Sequence, residues 1–593
     1  MKKYLLLATL LFVFAPQVKA QLSIGGTRPV YDSRTNTYLL TVPESVFGSA
    51  YQAPVVIDDG VTAVQINGQN VSEKVTFPLV AANMSYTFTF KKNNNQTQSS
   101  IQFTYLPIMC ITGTFNNTYK VAPVEITMPD GNGAKLYRAR IKRAGSSTNL
   151  NWIYKRNFHV KFIDENGEKM DVSFFGLRSD NHWRLDAGTR DMIRFRNYAA
   201  NGLWADFGTK SYYADKQPKA RSYIRGSHVE VFMNGAYHGF YNFSEYLDRK
   251  QMKLKKYDEV EVPGEDGGES QTAINLHGFM WKAKESGIES LFKSASRPFD
   301  NTQGSWGDFE LEYPEIEDVG ATDYTMLRDA VRFVAQSSDI IFANQVDKYF
   351  DLPVLADYYM FLNVMQAIDN ASNNLVLACY DSAEEEKITF AVWDLDATVG
   401  QHYLDIEGYY HADSIQPEID LAEVPQRWCG FTKSRLFTRI KTLPSFYRRV
   451  VNRYWQLRET ILQPDSLVAR YRAIYDRLDN CGALDRESAR WSGTDEINYR
   501  TLDFEGEWDY LSDWLRRRIA FLDTHTFACL RGDVDGNGKL SIDDVTTLIS
   551  YLLSGKIDTD FNAVNADVNA NDLINIDDVT SLISILLQGP SWS

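Results

Sequence analysis

Short β-rich runs alternate with turn sequences over the first hundred residues. Apolar and β-branched side chains gather in runs such as 38–42 and 86–90, and Asp58-Asp59-Gly60 and Asn67-Gly68 supply turns. Short runs separated by turns are typical of a small β-sandwich. We therefore predict an all-β, sandwich-like accessory domain over residues 21–105, whose simplest role is that of a spacer.

Residues 106–527 change from a strand-like to a helical pattern. Strand-like stretches come first, at 135–141 and 157–163. Apolar residues then recur at three- and four-residue spacing over 352–368 and 507–522, which indicates helices with a buried face. Strands followed by helices predict a central α+β domain, in which a strand-rich lobe precedes a helical lobe.

The end of the chain contains one pattern twice. An acidic loop leads directly into an apolar, helix-like run at 533–553 and again at 567–587, with an offset of 34 residues. The repeat predicts a third, small α-helical domain over residues 528–593.

Each copy of the acidic loop offers oxygen atoms at the spacing that calcium requires. Calcium binds six to eight oxygens, which a loop supplies from positions 1, 3, 5, 7, 9 and 12, with position 7 giving its carbonyl. In the first loop these positions are Asp533, Asp535, Asn537, Lys539, Ser541 and Asp544. In the second loop they are Asp567, Asn569, Asn571, Leu573, Asn575 and Asp578. We therefore predict two Ca²⁺ sites; a chance duplication of acidic turns is the alternative.

The duplicated segment resembles a type I dockerin module. The last ligand position of each loop is Asp instead of the usual Glu, and each loop is followed by a single helix. The resemblance implies binding to a cohesin-like module of a scaffold protein through the helix faces after the loops. Those faces carry Thr546, Thr547, Thr580 and Ser581.

The composition is that of a folded chain of several domains, and the charge disfavours some binding partners. The chain has 593 residues, which is too long for one ordinary domain, and its 44% hydrophobic and 23% charged residues are typical of a folded chain. A formal net charge of −15 disfavours non-specific nucleic-acid binding and suits the binding of cations. The five cysteines match no zinc pattern.

Residues 1–20 have the order of a secretory signal peptide. Lys2 and Lys3 precede an apolar run, and Val18 and Ala20 are the small residues before the cleavage position. The run is too short to span a bilayer, and no later stretch is long enough. We therefore expect a secreted or cell-surface protein without a transmembrane segment in the mature chain; a buried N-terminal element is the alternative.

Two segments of the central domain carry candidate phosphate chemistry. The small-residue turn at 144–147 lets backbone amides approach an anion, and a basic residue on the next strand can neutralise that anion. Asp369 and Asn374 have the spacing of an Asp that orients or deprotonates a hydroxyl and an Asn that holds a metal ion. Taken alone, each segment is also an ordinary turn or helix cap.

A third segment ends a buried, strand-like run with two carboxylates, Asp394 and Asp396. Residues two apart on a strand face the same way, and buried carboxylates are costly unless a cation compensates them. Mg²⁺ with a triphosphate is the natural compensation. The order of the three segments therefore favours a phosphate turn, a strand lysine, a catalytic Asp and a metal-binding Asp.

On these segments the central domain resembles the spore coat protein H (CotH) kinase family, an atypical protein-kinase-like group. The supporting stretches are 143–147 with Lys155, 182–187, 191–197, 369–374, 393–396, 514–519 and, most clearly, 229–245. The resemblance implies a kinase-like fold and the transfer of phosphate from ATP to Ser or Thr of a protein, with Mg²⁺ or Mn²⁺.

The resemblance also implies a role for each candidate residue. Asp369 would be catalytic, and Asn374 and Asp394, with Asp396 as a second candidate, would bind Mg²⁺. Phosphate contacts would come from Arg143, Gly145, Ser146 and Lys155, with Glu245 as the ion-pair partner of Lys155. Lys161, six residues on and on the same face of the predicted strand, is an alternative to Lys155.

Two other functions compete with an exported protein kinase whose phosphoacceptor is a secreted or surface protein. The first is a non-catalytic structural or adhesive protein on the same fold, without nucleotide binding. The second is a carbohydrate-active component, suggested by the dockerin-like segment and by 13% aromatic residues. That function requires two carboxylates roughly 5–10 Å apart in an aromatic cleft, and no sequence signal selects such a pair.

Overall fold

The computed structural model describes residues 22–588 except 146, 150–152, 263–269, 402–410, 425–428, 495–500, 529–530, 538, 557–560, 570 and 572. The predicted signal peptide, residues 1–20, therefore lies outside the described residues. Contacts between Cα atoms divide the chain into two compact units. The first unit comprises residues up to 187 with 227–243 and 476–502, and the second comprises 188–226, 244–475 and 503–593. The boundaries predicted at residues 105 and 527 remain predictions.

The N-terminal region consists of two β-sheets around one core. Its strands are β1 (Leu22–Ile24), β2 (Val30–Asp32), β3 (Thr37–Thr41), β4 (Tyr51–Ile57), β5 (Val61–Ile66), β6 (Gln69–Asn70), β7 (Lys74–Phe77), β8 (Tyr86–Lys92) and β9 (Asn95–Thr104). One sheet has the order β1-β4-β7 and the other β2-β3-β9-β8-β5-β6. Alternate side chains point inward, as expected for a strand, so that Phe77 packs edge-on against Tyr86 and Phe103 in the shared core. The predicted β-rich N-terminal region is confirmed.

Seven further strands close into a barrel in the order β10-β11-β12-β13-β14-β16-β15. They are β10 (Ile108–Ile111), β11 (Lys120–Thr127), β12 (Ala134–Ala144), β13 (Asn157–Ile163), β14 (His182–Asp186), β15 (Gly226–Met233) and β16 (Ala236–Glu245). Antiparallel neighbours form most of the wall, and β10 closes it by pairing in parallel with β15. Inward-facing apolar residues such as Ile141, Val160 and Trp183 fill the interior. The strands predicted at 135–141 and 157–163 are β12 and β13.

The second unit contains a five-stranded sheet of the order β20-β21-β19-β22-β23 and a separate hairpin of β17 and β18. The strands are β17 (Asp258–Val262), β18 (Gln271–Asn275), β19 (Phe279–Ala283), β20 (Ser305–Trp306), β21 (Phe309–Tyr313), β22 (Val376–Cys379) and β23 (Thr389–Ala391). The central domain follows the expected order of strands before helices only in part. β22 and β23 of this sheet come from the part of the chain interpreted as helical.

The helices are α1 (Arg196–Phe207), α2 (Arg249–Met252), α3 (Ile316–Val319), α4 (Thr325–Gln336), α5 (Asp339–Tyr349), α6 (Leu352–Met365), α7 (Arg435–Ile440), α8 (Pro444–Arg458), α9 (Pro464–Asp479), α10 (Ala483–Trp491), α11 (Phe504–Thr524), α12 (Ile542–Ser554), α13 (Ala563–Ala566) and α14 (Ile576–Gln588). The helix predicted over 352–368 is α6, and it ends earlier than expected because Gln366 adopts the left-handed conformation with φ 47°. Within the described part of the chain, no helix combines the length and the apolar character that crossing a membrane requires.

The described residues between 531 and 588 form a small helical segment with its own core. Val545 and Leu548 of α12 pack with Val579 and Leu582 of α14. These four residues are related in pairs by the 34-residue repeat, so the duplicated sequence builds one core from two equivalent halves.

Candidate functional site

Asp369 and Asn374 are in direct contact, as their spacing suggested. Asp369 lies in the turn after α6, and its carboxylate accepts one hydrogen bond from each of two side-chain amides. The Nδ2 atom of Asn373 donates to Oδ1 at 2.8 Å, and the Nδ2 atom of Asn374 donates to Oδ2 at 2.7 Å. The backbone N–H of Asn374 in turn donates to the carbonyl of Ala283 in β19 at 3.0 Å, which anchors the turn to the sheet.

The environment of Asp369 adjusts its acidity. Burial is the largest effect and, with the negative charge of Asp394, raises the pKa of Asp369 to about 6, although the amides of Asn373 and Asn374 oppose the shift. The negative charge of Asp394 therefore acts on Asp369, and both residues belong to the second unit. A carboxylate whose pKa lies near neutrality is suited to accept a proton.

Asp394 and Asp396 lie in a loop and not on a strand. β23 ends at Ala391, and Asp394 has a φ of 55°, which is the left-handed conformation. The strand-based reason for expecting both carboxylates to face the same way therefore does not apply, because the alternation of a strand does not extend to them. The loop is joined to the Asp369 turn, since Asn370 donates its Nδ2 to the carbonyl of Trp393 at 2.6 Å.

A buried ion-pair network, whose members no sequence motif identified, supports the Asp394 loop. Arg196 is fully buried and contacts Asp191 at 2.6 Å and Glu507 at 2.7 Å. Its Nη2 atom also donates to the carbonyl of Val399 at 3.3 Å. The next residue, Asn197, accepts the backbone N–H of Leu395 at 3.0 Å through its side-chain oxygen.

Lys155 is a buried residue of the first unit. Its side chain is 1% exposed, and its ammonium donates to the carbonyls of Ala187 at 2.8 Å and Phe240 at 2.9 Å and to Glu487 at 2.7 Å. An ammonium has three N–H donors, and these three bonds use them. The assignment of Lys155 to nucleotide phosphates therefore requires correction, because the side chain is committed to the protein interior.

The strand argument that linked Lys155 to Lys161 is also wrong. β13 begins at Asn157, so Lys155 precedes the strand and shares no face with Lys161. Lys161 lies 5.1 Å from the centre of the Tyr119 ring. Glu487, which contacts Lys155 from α10, had no local sequence signal, because nothing in its surroundings distinguishes it from the exposed acids of a helix.

Glu245 ends β16 and belongs to the second unit. Its fully buried carboxylate contacts Arg225 at 3.0 Å and Arg221 at 3.4 Å and accepts the Nε2 of Gln251 at 2.9 Å. Lys155 and Glu245, expected as an ion pair, thus each have an ionic partner within their own unit.

The turn expected to approach phosphate follows β12 in the first unit. Arg143 is paired with Phe158 of β13 in the barrel, and Gly145 has a φ of 86°. A Cβ atom at Gly145 would lie 2.2 Å from the Oγ1 of Thr148, so both conformation and packing require glycine there. Ser146 lies outside the described residues.

A comparison with known families identifies the central region. A family model described as CotH kinase protein matches residues 141–522, which is more than half of the chain. The chain belongs to the CotH kinase protein family. The CotH region is therefore that of a kinase-like protein, as the resemblance implied, and it includes Asp369, Asn374 and Asp394. Among curated proteins, none matches this sequence.

Beyond the CotH region, the first acidic loop gathers three carboxylates. Carboxylate oxygens of Asp533, Asp535 and Asp544 lie within 4.8 Å of one another, and no other described residues form such a group of acidic, His or Cys side chains. Burial, together with the charge of Asp535, raises the pKa of Asp544. At its predicted side-chain ligand positions the second loop has only two carboxylates, Asp567 and Asp578, because Asn occupies the other positions.

The two loops repeat one hydrogen-bond pattern. Asp544 accepts the backbone N–H groups of Asp535 at 3.1 Å and Ser541 at 2.8 Å. Asp578 accepts the equivalent groups of Asn569 at 3.2 Å and Asn575 at 2.9 Å. At other predicted positions too, a backbone N–H donates to a side-chain oxygen in both loops. These bonds run from Asn537 to Asp533, from Lys539 to Asn537, from Asn571 to Asp567 and from Leu573 to Asn571. Gly538 and Asp572, the sharp-turn positions, lie outside the described residues.

The helices after the loops expose apolar side chains at equivalent positions. Leu553 is 84% exposed on α12 and Leu587 is 82% exposed on α14, and Ile542 and Ile576 form a second such pair. The polar residues expected on these faces bond to their own helix: Thr546 and Thr547 donate to the carbonyl of Asp543, Thr580 to Ile576 and Ser581 to Asp577.

Proposed function

We propose that this CotH family member is an exported protein kinase that transfers phosphate from ATP to Ser or Thr of a secreted or cell-surface protein, with Mg²⁺ or Mn²⁺. The observation that carries the proposal is the cluster formed by Asp369, Asn374 and Asp394. A carboxylate with a pKa of about 6 is held by an Asn amide five residues on, and a second carboxylate acts on it from a neighbouring loop.

The donor set of this cluster suits a hard divalent cation. Asp394, Asp396 and the side-chain oxygen of Asn374 are all oxygen donors, and Mg²⁺ is commonly bound by one or two carboxylates together with substrate phosphates. Asp394 and Asn374 would hold the ion, with Asp396 as a second candidate. When bound, Mg²⁺ would neutralise charge on the phosphates.

The chain's own contribution to the reaction is proton transfer and positioning. The Asp369 carboxylate accepts the proton of the acceptor hydroxyl while the oxygen of that hydroxyl bonds to the γ-phosphorus. The bond from that phosphorus to the β,γ-bridging oxygen breaks, and ADP leaves. Arg196 and Asn197 keep the Asp394 loop in place. The turn at Arg143, Gly145 and Ser146 remains the proposed backbone contact to phosphate.

Nucleotide binding separates this function from a non-catalytic role on the same fold. The purified chain is titrated with ATP by calorimetry, with Mg²⁺ and with EDTA. We expect saturable binding that needs Mg²⁺, that Asp394→Asn removes, and that Asp369→Ala retains because Asp369 is no metal ligand. An absence of ATP binding in the parent chain would overturn the proposal.

The duplicated C-terminal segment is proposed to bind two Ca²⁺ ions and to attach the kinase to a cohesin-like scaffold module. Support comes from the grouped carboxylates of the first loop, from the repeated hydrogen bonds, and from the apolar side chains exposed at equivalent helix positions. Pull-down of a cohesin panel with Ca²⁺ and with EDTA tests the attachment. Binding that survives Leu553→Asp combined with Leu587→Asp would contradict the use of these faces.

A further inference from the structure

A lysine that no motif identified lies on β19, the strand that anchors the Asp369 turn. Lys282 lies on β19, next to Ala283. The carbonyl of Ala283 accepts the N–H of Asn374 at 3.0 Å, and the N–H of Ala283 donates to the carbonyl of Leu375 at 2.8 Å. Burial alone would lower the pKa of Lys282, but the charges of Glu312, Glu310 and Asp394 outweigh burial and raise it. These acidic neighbours therefore favour the protonated form of Lys282.

The neighbouring strand and loop hold this ammonium in place. Its Nζ atom lies 3.0 Å from Glu312 and 3.7 Å from Glu310, both on β21, which pairs with β19. Tyr246 donates its hydroxyl to the other oxygen of Glu312 at 3.2 Å. The Tyr246 ring packs edge-on against Trp393 at 5.4 Å, directly before Asp394 in the chain. A continuous set of contacts thus runs from Lys282 to the Asp394 loop.

The excess of negative charge around Lys282 favours a role for this lysine in binding phosphate. Glu310, Glu312 and Asp394 are three acidic side chains that act on one ammonium, and ATP would add further negative charge. Kinase-like sites stabilise the charge of the transferring phosphate with cations aimed at its oxygens. Lys282 is 21% exposed, so it is positioned by the protein and still accessible to a ligand.

We propose that Lys282 is a catalytic residue that contacts the γ-phosphate oxygens of ATP, with Glu312 as its positioning residue. Lys282 would then have the role that the sequence suggested for Lys155, whose donors are committed to the interior of the other unit. This inference rests on the proposed kinase function. Lys282 forms no covalent bond in the step, since the proton goes to Asp369 and the electron pair leaves with ADP.

The affinity ratio of a non-hydrolysable ATP analogue to ADP tests the proposal without measuring activity. Both nucleotides are titrated with Mg²⁺ by calorimetry into the parent chain, Lys282→Met, Lys282→Arg, Glu312→Gln and Lys284→Met. Lys284 is the matched control, because it is two residues on along the same stretch and exposed. Thermal unfolding of each variant verifies its fold.

We expect Lys282→Met to weaken analogue binding by roughly tenfold or more while ADP binding changes less than about twofold, because only the γ-phosphate is contacted. Lys282→Arg should keep part of the preference for the analogue, Glu312→Gln should reduce it, and Lys284→Met should match the parent. Phosphate transfer by Lys282→Met should fall on the order of 10²-fold.

Two results would overturn the inference, and they are distinguishable. A parent chain that binds neither nucleotide removes the proposed function and this role with it. A parent that binds the analogue more tightly than ADP, with the same ratio in folded Lys282→Met and Lys282→Arg, leaves the kinase function standing and assigns Lys282 to a structural ion cluster.

Discussion

Replacing Lys155 by Met tests whether this lysine serves the protein interior or a nucleotide. The Lys155 and Glu487 side chains are 1% and 0% exposed and meet at 2.7 Å. Removing one partner of a buried ion pair leaves an uncompensated charge and costs about 3–5 kcal/mol of unfolding free energy. Lys155→Met also removes the donors to the carbonyls of Ala187 and Phe240, so we expect the upper part of that range.

Urea unfolding of four proteins measures this cost and its origin. They are the parent, Lys155→Met, Glu487→Leu and the double variant. We expect each single variant to lose several kcal/mol, and the double variant to lose less than the sum, with a coupling on the order of 2 kcal/mol. Lys135→Met, on the exposed side of β12, is the matched control and should stay within about 0.5 kcal/mol of the parent.

The opposite pattern would refute the interior role of Lys155. Lys155→Met would then cost less than about 1 kcal/mol, show no coupling with Glu487→Leu, and abolish ATP binding while the fold is unchanged. That result would return Lys155 to the phosphate-binding role implied by the family resemblance.

Three further changes probe other parts of the molecule. Burial lowers the pKa of His228 to about 3, so the unfolded chain takes up its proton first as the pH falls. His228 therefore does not reduce the unfolding free energy above about pH 6.5, and it lowers that free energy by about 2 kcal/mol at pH 5. His228→Gln should flatten that acid slope in urea midpoints, and an unchanged slope would show that His228 does not cause it. Gly145→Ala should destabilise more than Gly60→Ala, by at least about 1 kcal/mol in unfolding free energy, because Gly60 shares the positive φ but has open space around it; equal losses would show that Gly145 is not closely packed. Calcium titration should give two ions for the parent and one each for Asp544→Asn and Asp578→Asn, and an unchanged stoichiometry would contradict the loop assignment.

The parts of the fold that follow from local pattern were predictable. Alternation over 135–141 and 157–163 identified β12 and β13, and the helical spacing over 352–368 identified α6. β22 was missed because all four of its residues, Val376–Cys379, are buried, so it has no alternation to distinguish it from a helix segment.

The candidate site was predictable to the extent that its contacts are local. Asp369 and Asn374 are five residues apart, and their contact follows from one turn. Lys155 and Glu487 are separated by 332 positions, and such a pair leaves no signal in a single sequence. The orientation of Asp394 depends on its own left-handed backbone conformation in the loop after β23, which the apolar pattern does not encode.

The most direct measurement of the proposed chemistry is transfer of label from γ-labelled ATP. The full chain is incubated with Mg²⁺ or Mn²⁺ and a casein-like acceptor, beside Asp369→Asn and Asp394→Asn. We predict labelled Ser or Thr with the parent chain and at least about 10²-fold less label with either variant, because one lacks the proton acceptor and the other a metal ligand. Label that is equal in the parent and in Asp369→Asn, or absent from all three proteins despite ATP binding by the parent, would contradict catalysis at this site.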